Sequence, residues 1–243
     1  MHCSSGACPV LARPVRSVGR PRILSLSVPI LIGIAAVCGV AAAGNAQSSP
    51  KLTFKKVLEG STPEYLEICV DSNGAGTYDG RRLKDPAEIR TLKLSAATTE
   101  RIFALAHSLN DFNSIDLESH KKVANMGRKT FVYESNGQTY TAEFNYSLRR
   151  EAQELADLFE KISSVEEHIK ALEFEEKYDH LQLPQELLQI RIDLDNKALA
   201  DPELLAPTLR LIAHDSRYLH LAQARAQDIL ARLGESDSRS PER

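Results

Sequence analysis

The sequence predicts an α+β fold: an antiparallel sheet of β-hairpins with one packed helix, followed by a long heptad helix and a small C-terminal helical bundle. Alternating apolar and polar residues, typical of half-buried strands, occupy much of the stretch from residue 52 to residue 146. From Leu148 to Tyr178, apolar residues recur at steps of three and four, which places them on one stripe of a helix. Helical patterns continue from there to residue 233.

Residues 1–46 have the features of a signal peptide. Four arginines precede an uncharged, largely apolar run at residues 23–43, and the small residues that follow predict cleavage after Ala46. Because about 20 apolar residues can also span a bilayer, a retained membrane anchor is the alternative. We therefore expect an extracytoplasmic protein, periplasmic or secreted, that contacts a membrane only through an uncleaved N-terminal segment.

Export would change the charge and the cysteine content of the chain. Removing the segment's four arginines from the 30 basic and 33 acidic residues leaves a formal charge of −7, which argues against a nucleic-acid partner. Three of the four cysteines leave as well, so Cys69 has no partner for an intramolecular disulfide. We expect it to be a buried small residue.

Two hairpins and one helix are predicted in the sheet domain. Its first four strands are expected at residues 52–58, 65–70, 76–83 and 89–94. The first lies at an edge of the sheet, and Asn73-Gly74 is typical of a tight hairpin between the second and third. Ser95 is a good N-cap for the helix, and residues 113–129 read as mostly loop. A second hairpin turns at Asn136-Gly137 and returns as the strand at residues 138–146.

The heptad helix is expected to pack within the chain. Its stripe covers fewer than the three to four heptads that a two-chain coiled coil usually needs, and the following helices supply leucines to cover it. The stripe consists of Leu155, Leu158, Ile162, Val165, Ile169 and Leu172. Later helices begin at Pro184, Pro202 and Arg217, and Gly234 ends the last. The predicted boundaries are a sheet domain at residues 47–147, a helical domain at 148–234 and a disordered tail at 235–243.

Residues 63–109 resemble a family of bacterial exported domains of unknown function. The shared features are a Pro-x-Tyr start, a Gly turn, a Tyr-x-Gly return strand and a Ser-capped helix, here Pro63-Glu64-Tyr65, Asn73-Gly74, Tyr78-Asp79-Gly80 and Ser95. Thr62 stands where members often carry a Cys. The resemblance implies an exported hairpin-plus-helix module and carries no activity with it. Residues 201–233 also resemble one helical pair of a HEAT-type repeat, which implies helix packing alone.

The sequence contains few residues in patterns that support catalysis, and it predicts no cofactor. No Gly-x-Ser-x-Gly motif occurs, and Cys69 lies mid-strand, away from a helix N-terminus that would lower its pKa. His214, Asp215 and His220 could approach one another at the turn between the last two helices as metal ligands. Surface or helix-cap roles are favoured for them, because the sequence names neither a further ligand nor an orienting partner.

Two surfaces are candidates for binding. Tyr65, Glu67 and Cys69 share the polar face of the second strand, which predicts a protein-binding surface. The chain's basic patch, which could bind an anionic surface, consists of Lys121, Lys122, Arg128 and Lys129.

The leading hypothesis is a non-enzymatic, extracytoplasmic interaction module whose partner is another envelope or secreted protein. Two alternatives stay open. One is a metal-dependent hydrolase of unfamiliar class that uses His214, Asp215 and His220, and the other is an exported enzyme inhibitor that presents the loop at residues 113–129. The sequence specifies no oligomeric state.

Overall fold

The computed structural model describes residues 49–237, and the side chains of residues 49–234 among them. The predicted signal segment and residues 238–243 lie outside the described residues. The strands are β1 (Lys51–Val57), β2 (Tyr65–Asp71), β3 (Ala75–Arg81), β4 (Arg90–Lys93), β5 (Arg128–Ser135) and β6 (Gln138–Phe144). The helices are α1 (Ala96–Ser108), α2 (Arg150–Tyr178), α3 (Leu183–Asp195), α4 (Ala206–His214) and α5 (His220–Asp237), with 3₁₀ turns at Asn110–Phe112 and Pro202–Leu205.

The α+β prediction is confirmed. The six strands form one antiparallel sheet in the order β4-β3-β2-β1-β5-β6. The prediction that the first strand lies at an edge is wrong, because β1 pairs with β2 on one side and with β5 on the other. The edge strands are β4 and β6. The position of β1 depends on its pairing with β5, a strand about 75 residues later in the chain, and the sequence alone does not reveal that pairing.

One face of the sheet packs against α1, the turn after it and the first half of α2. Alternating residues of the strands point into this core, as the period of two requires. Its centre is aromatic: the Phe159 ring of α2 stacks on Phe54 of β1 with centroids 5.1 Å apart. Phe54 lies 5.3 Å from Phe131 of β5, which in turn stacks on Phe112 at 5.0 Å. These four rings join α2 to β1 and β5.

Two residues cap the N-terminus of α1: one adjoins the helix, and the other is distant in sequence. Ser95 Oγ accepts a hydrogen bond from the Thr98 N–H, as the N-cap prediction requires. The Asp201 carboxylate, from the segment before α4, accepts the Ser95 N–H at 2.6 Å and its hydroxyl at 2.8 Å. A carboxylate also interacts favourably with the positive end of the helix dipole. Asp201 therefore links the helical region to the sheet region.

The helix α2 contributes to two hydrophobic cores. Phe159 and Ile162 are buried with the sheet, whereas Val165, Ile169 and Leu172 are buried with α3, α4 and α5. Leu158 is the one member of the heptad stripe that remains half-buried. The prediction that the stripe packs within the chain is confirmed.

The last helices differ from prediction at their ends. The segment that begins at Pro202 is a 3₁₀ turn before α4, and α5 begins at His220. Gly234 does not end α5, which continues to Asp237. A glycine within a helix costs only about 1 kcal/mol relative to alanine, so it does not force an end. None of the helices in residues 49–237 is both long and apolar enough to cross a bilayer.

Phe159→Ala should lower the free energy of unfolding by about 3–5 kcal/mol, because it removes a fully buried ring from the contact between α2 and the sheet. Phe174→Ala on the same helix is the matched control. Its side chain is 60% exposed, so its loss should cost less than about 1 kcal/mol. Urea unfolding followed by circular dichroism measures both, and equal costs would contradict the central role of Phe159.

Candidate functional site

The sheet face opposite the helices, here called the open face, leaves its middle row of side chains accessible to solvent. Strand register places one row of side chains across all six strands, and each member is half-buried or exposed. From edge to edge the row is Thr91, Thr77, Cys69, Thr53, Val132 and Thr141. Small, mostly β-branched side chains fit the pleat closely, which makes the middle of this face flat.

The predicted protein-binding residues Tyr65, Glu67 and Cys69 lie together on the open face. Tyr65 Oη donates a hydrogen bond to the Glu67 carboxylate, and Lys55 Nζ lies 3.3 Å from Glu67 Oε2. Cys69 is a free thiol, half-buried at the centre of the row. It is therefore more accessible than the expected core residue.

Two residues of β3 complete this surface, and sequence reasoning missed both. The Arg81 guanidinium carbon lies 4.4 Å from the centroid of the Tyr65 ring, within cation–π range. Arg81 Nε donates to Asp79 Oδ2 at 3.0 Å, while Asp79 Oδ1 is buried and has no hydrogen-bond partner within the described residues. We call Lys55, Tyr65, Glu67, Asp79 and Arg81 the Tyr65 corner.

The Tyr65 phenol stays neutral, and the corner contains residue types that are common at protein interfaces. Burial raises the pKa of Tyr65 to about 12, and the hydrogen bond to Glu67 adds to that shift. The phenol therefore stays protonated near neutral pH, far from the pKa that a general acid or base needs. Tyrosine and arginine, by contrast, are the residue types that most often dominate binding energy at protein interfaces.

A polar cleft of about 290 Å³ lies between α2 and the segment around Pro63. Tyr78 Oη donates to Glu167 Oε1 at 2.5 Å, and Lys170 Nζ donates to the same oxygen at 3.2 Å. Ser164 Oγ donates to a carbonyl of its own helix, at Glu160. These groups satisfy one another, so they do not form the hydrogen-bonded nucleophile and base that covalent catalysis requires.

His168, at the rim of this cleft, bridges α2 and α3. Its Nδ1 lies 2.6 Å from Glu186 Oε1 and its Nε2 lies 3.0 Å from Asp193 Oδ2. Burial opposes the charge of His168, but hydrogen bonds and attraction from Glu186 and Asp193 outweigh it and raise the pKa of the imidazole. Only the imidazolium donates through both nitrogens. His168 therefore acts as a charged clamp between two helices.

A second titratable group lies close to this clamp. Burial raises the pKa of Glu175 to about 7, and repulsion from Glu186 and Asp179 adds to the shift. Its Oε2 is buried and has no hydrogen-bond partner in the described part of the chain. Near neutral pH, Glu175 is thus only partly ionised.

The three candidate metal ligands are held by separate local partners. His214 Nδ1 lies 2.8 Å from the Arg210 carbonyl, and Asp215 Oδ2 accepts the Arg217 Nε–H at 2.8 Å. His220 Nδ1 lies 3.2 Å from Gln223 Oε1. In residues 49–237, no group of three or more His, Cys, Asp or Glu side chains is arranged to hold a metal ion.

The predicted basic patch is divided between two faces. Lys121, Lys122 and Arg128 are exposed, and Arg128 Nε lies 4.0 Å from Glu143 Oε1. Lys129 is buried, and its ammonium group donates to the Met126 carbonyl at 2.9 Å. Because neighbouring residues of a strand point to opposite faces, Arg128 and Lys129 do not share a surface.

Comparison with known proteins assigns no family. No protein-family model matches this chain, and no curated protein matches it significantly. The resemblance of residues 63–109 to exported domains therefore stays a prediction, and function has to be inferred from the geometry.

The free energy of unfolding should fall as the pH rises through neutrality. His168 and Glu175 both have a raised pKa in the folded state, so the folded protein keeps protons that the unfolded chain releases. The contribution of His168 is complete below its unfolded pKa of 6.5 and is lost as the pH rises through its higher folded pKa. The contribution of Glu175 is lost between its unfolded pKa of 4.5 and about pH 7.

His168→Gln should flatten the profile above pH 6.5, and Glu175→Gln should flatten it between pH 4.5 and about 7. Urea unfolding at a series of pH values from 4 to 9 measures both slopes. His107→Gln is the control, because the His107 side chain is 85% exposed. A His168→Gln slope equal to that of the parent would contradict the clamp.

Proposed function

We propose that this protein is a non-enzymatic, extracytoplasmic interaction module that binds another envelope or secreted protein on its open face, around the Tyr65 corner. The observation that carries the proposal is the composition of the Tyr65 corner, which lies on a sheet face that the helices do not cover. One side of the six-stranded sheet is buried by helices, while the middle row of the other side is half-buried or exposed. Antiparallel sheets can have one solvated face, so exposure alone would not favour binding. The composition of the Tyr65 corner does.

The corner is held in a fixed geometry before any partner arrives. Tyr65 lies on β2, which pairs on both sides with neighbouring strands, so its main chain is fixed. The ring is held from one side by Arg81, and the hydroxyl is held by Glu67. Binding energy is lost when side chains must be ordered, so such preorganisation favours affinity.

The charges of the corner point to a partner with a mixed polar surface. Lys55 and Arg81 are cationic, and Glu67 and Asp79 are anionic, so the corner attracts neither a polyanion nor a polycation strongly. The flat row of threonines beside it offers area without long side chains to immobilise. A folded protein surface matches this combination better than a small ligand does, because small-ligand sites are concave whereas the row beside the corner is flat.

Arg81→Ala should weaken binding of the partner at least tenfold, because it removes the cation above the Tyr65 ring and leaves Asp79 without its hydrogen bond. Arg82→Ala is the matched control, since Arg82 is the exposed neighbour on the loop after β3. The partner is first identified by placing a photo-reactive amino acid at Thr53 or Thr77 and cross-linking in cells. Calorimetry with the purified partner then compares the variants.

The same cross-linked species should form from Thr53 and Thr77, and none should form from Ala104 on the exposed side of α1. Cross-links that appear only at Ala104, or equal affinities for the two arginine variants, would refute binding on the open face. N-terminal sequencing of the protein isolated from cells tests the compartment. Recovery in the cytosol with Met1 attached would refute an extracytoplasmic role.

A further inference from the structure

The two edges of the sheet differ in their protection against pairing with another chain. Natural proteins block sheet edges with short strands, proline and charged residues. The strand β4 has only four residues, and it carries both Arg90 and Lys93. The strand β6 has seven residues, contains no proline, glycine, lysine or arginine, and includes one charged residue, Glu143. The β6 edge is therefore the unprotected one.

The turn before β6 determines which of its main-chain groups point outward. Asn136 and Gly137 have φ values of 51° and 75°, as a two-residue type I′ turn requires. Ser135 and Gln138 therefore form the first hydrogen-bonded pair with β5, and hydrogen-bonded pairs alternate from there. The N–H and C=O groups of Thr139, Thr141 and Glu143 consequently point away from the sheet.

The chain covers this edge only beyond the end of β6. The Asn145 N–H donates to Glu118 Oε2 at 2.6 Å, and the Ser119 N–H donates to the Tyr146 carbonyl at 2.9 Å. Within residues 49–237, the outward main-chain groups of Thr139, Thr141 and Glu143 have no such cover. The edge of β6 is therefore open from the turn at Asn136-Gly137 to Glu143, and it is covered from Asn145 onward.

We propose that β6 pairs antiparallel with β6 of a second copy of this chain, about a two-fold axis at Thr141. The two six-stranded sheets would then form one continuous sheet. This register uses every outward residue of both strands, since Thr139 faces Glu143 of the other copy and Thr141 faces its own equivalent. It supplies about six main-chain hydrogen bonds.

The side chains of β6 are self-complementary in this register. On the open face, the opposed pairs are Thr with Thr and Thr with Glu, so no like charges meet. On the helix face, Tyr140 opposes Ala142 of the other copy, which places a large ring beside a small residue. If the axis lay at Glu143 instead, the Glu143 carboxylates of the two copies would face each other. The charges and sizes therefore fit a second copy in this register as the occupant of this edge.

The test uses two threonines at opposite ends of the same row. Thr141→Lys places two ammonium groups opposite each other at the axis, and Thr141→Pro removes an outward N–H without disturbing the ladder to β5. Thr91→Lys on β4 is the matched control, because Thr91 is an equally exposed threonine on the other edge. Sedimentation velocity over a range of concentrations compares the proteins isolated from cells that express the full chain.

The parent and Thr91→Lys should dimerise with the same Kd, and both Thr141 variants should raise that Kd at least tenfold. A parent that stays monomeric at the highest concentration, or variants that all dimerise equally, would overturn the proposal. Thr141→Cys, which keeps the N–H, gives a second readout. It should form an intermolecular disulfide under mild oxidation, whereas Thr91→Cys should not, and the reverse result would also overturn it. Sedimentation of the purified protein involves no partner, so it measures pairing of the chain with itself separately from partner binding.

Discussion

The packing of α2 into two cores is the constraint on which the rest of this structure depends. The helix has 29 residues and is therefore about 44 Å long at ~1.5 Å per residue. Its first half meets the sheet through Phe159, and the next turns meet α3, α4 and α5 through residues such as Val165 and Ile169. Because one continuous helix serves both cores, neither core can move far without exposing apolar surface of the other. The helices pack on one face of the sheet, and the middle row of the opposite face stays half-buried or exposed.

Polar contacts fix how this helix lies on the sheet. Arg90 of β4 donates to both carboxylate oxygens of Glu173 at 2.8 and 2.9 Å, and Tyr78 of β3 donates to Glu167. Gly80 makes the second contact possible, because a Cβ there would lie 2.0 Å from Tyr78 Oη. This gives the Tyr-x-Gly pattern a steric reason. Partly buried ionic contacts contribute little net stability once desolvation is counted. We infer that their role here is to specify one alignment of α2.

Local signals predicted most of the elements, whereas contacts between distant residues were not predictable. Strand alternation and the Ser95 cap depend on neighbours in sequence, and both appear as expected. Asn73-Gly74 favours a two-residue turn, but the loop holds three residues, with Asp71 opposite Ala75. Asp71 Oδ1 accepts the N–H groups of residues 73 and 75, which stabilises the longer loop. One extra residue changes which side chains of β3 share a face with Tyr65, and so Arg81 was missed. The His168 clamp joins residues 18 and 25 apart, a separation at which the sequence carries no periodic signal.

The open face and the β6 edge offer different chemical groups for binding. The proposed recognition at the Tyr65 corner would depend on side chains, whereas the proposed pairing along β6 would depend on main-chain groups, so the two would not compete for the same groups. A two-fold axis at Thr141 is perpendicular to the sheet, which keeps both open faces on the same side. The two Tyr65 corners would then lie seven strand spacings apart across the joined sheet, about 34 Å at ~4.8 Å per strand. Tyr65 is level with residue 145 of β6, four residues from the axis, so the corners would also be offset by about 27 Å along the strands at ~3.4 Å per residue, which makes their separation about 43 Å. A partner that repeats its binding surface at that distance would bind both corners, and the second contact would form at the high effective concentration of a linked site. Modest affinity at a single corner is then sufficient for firm attachment, which is consistent with a surface built from partly exposed threonines and one aromatic ring rather than from a deep pocket.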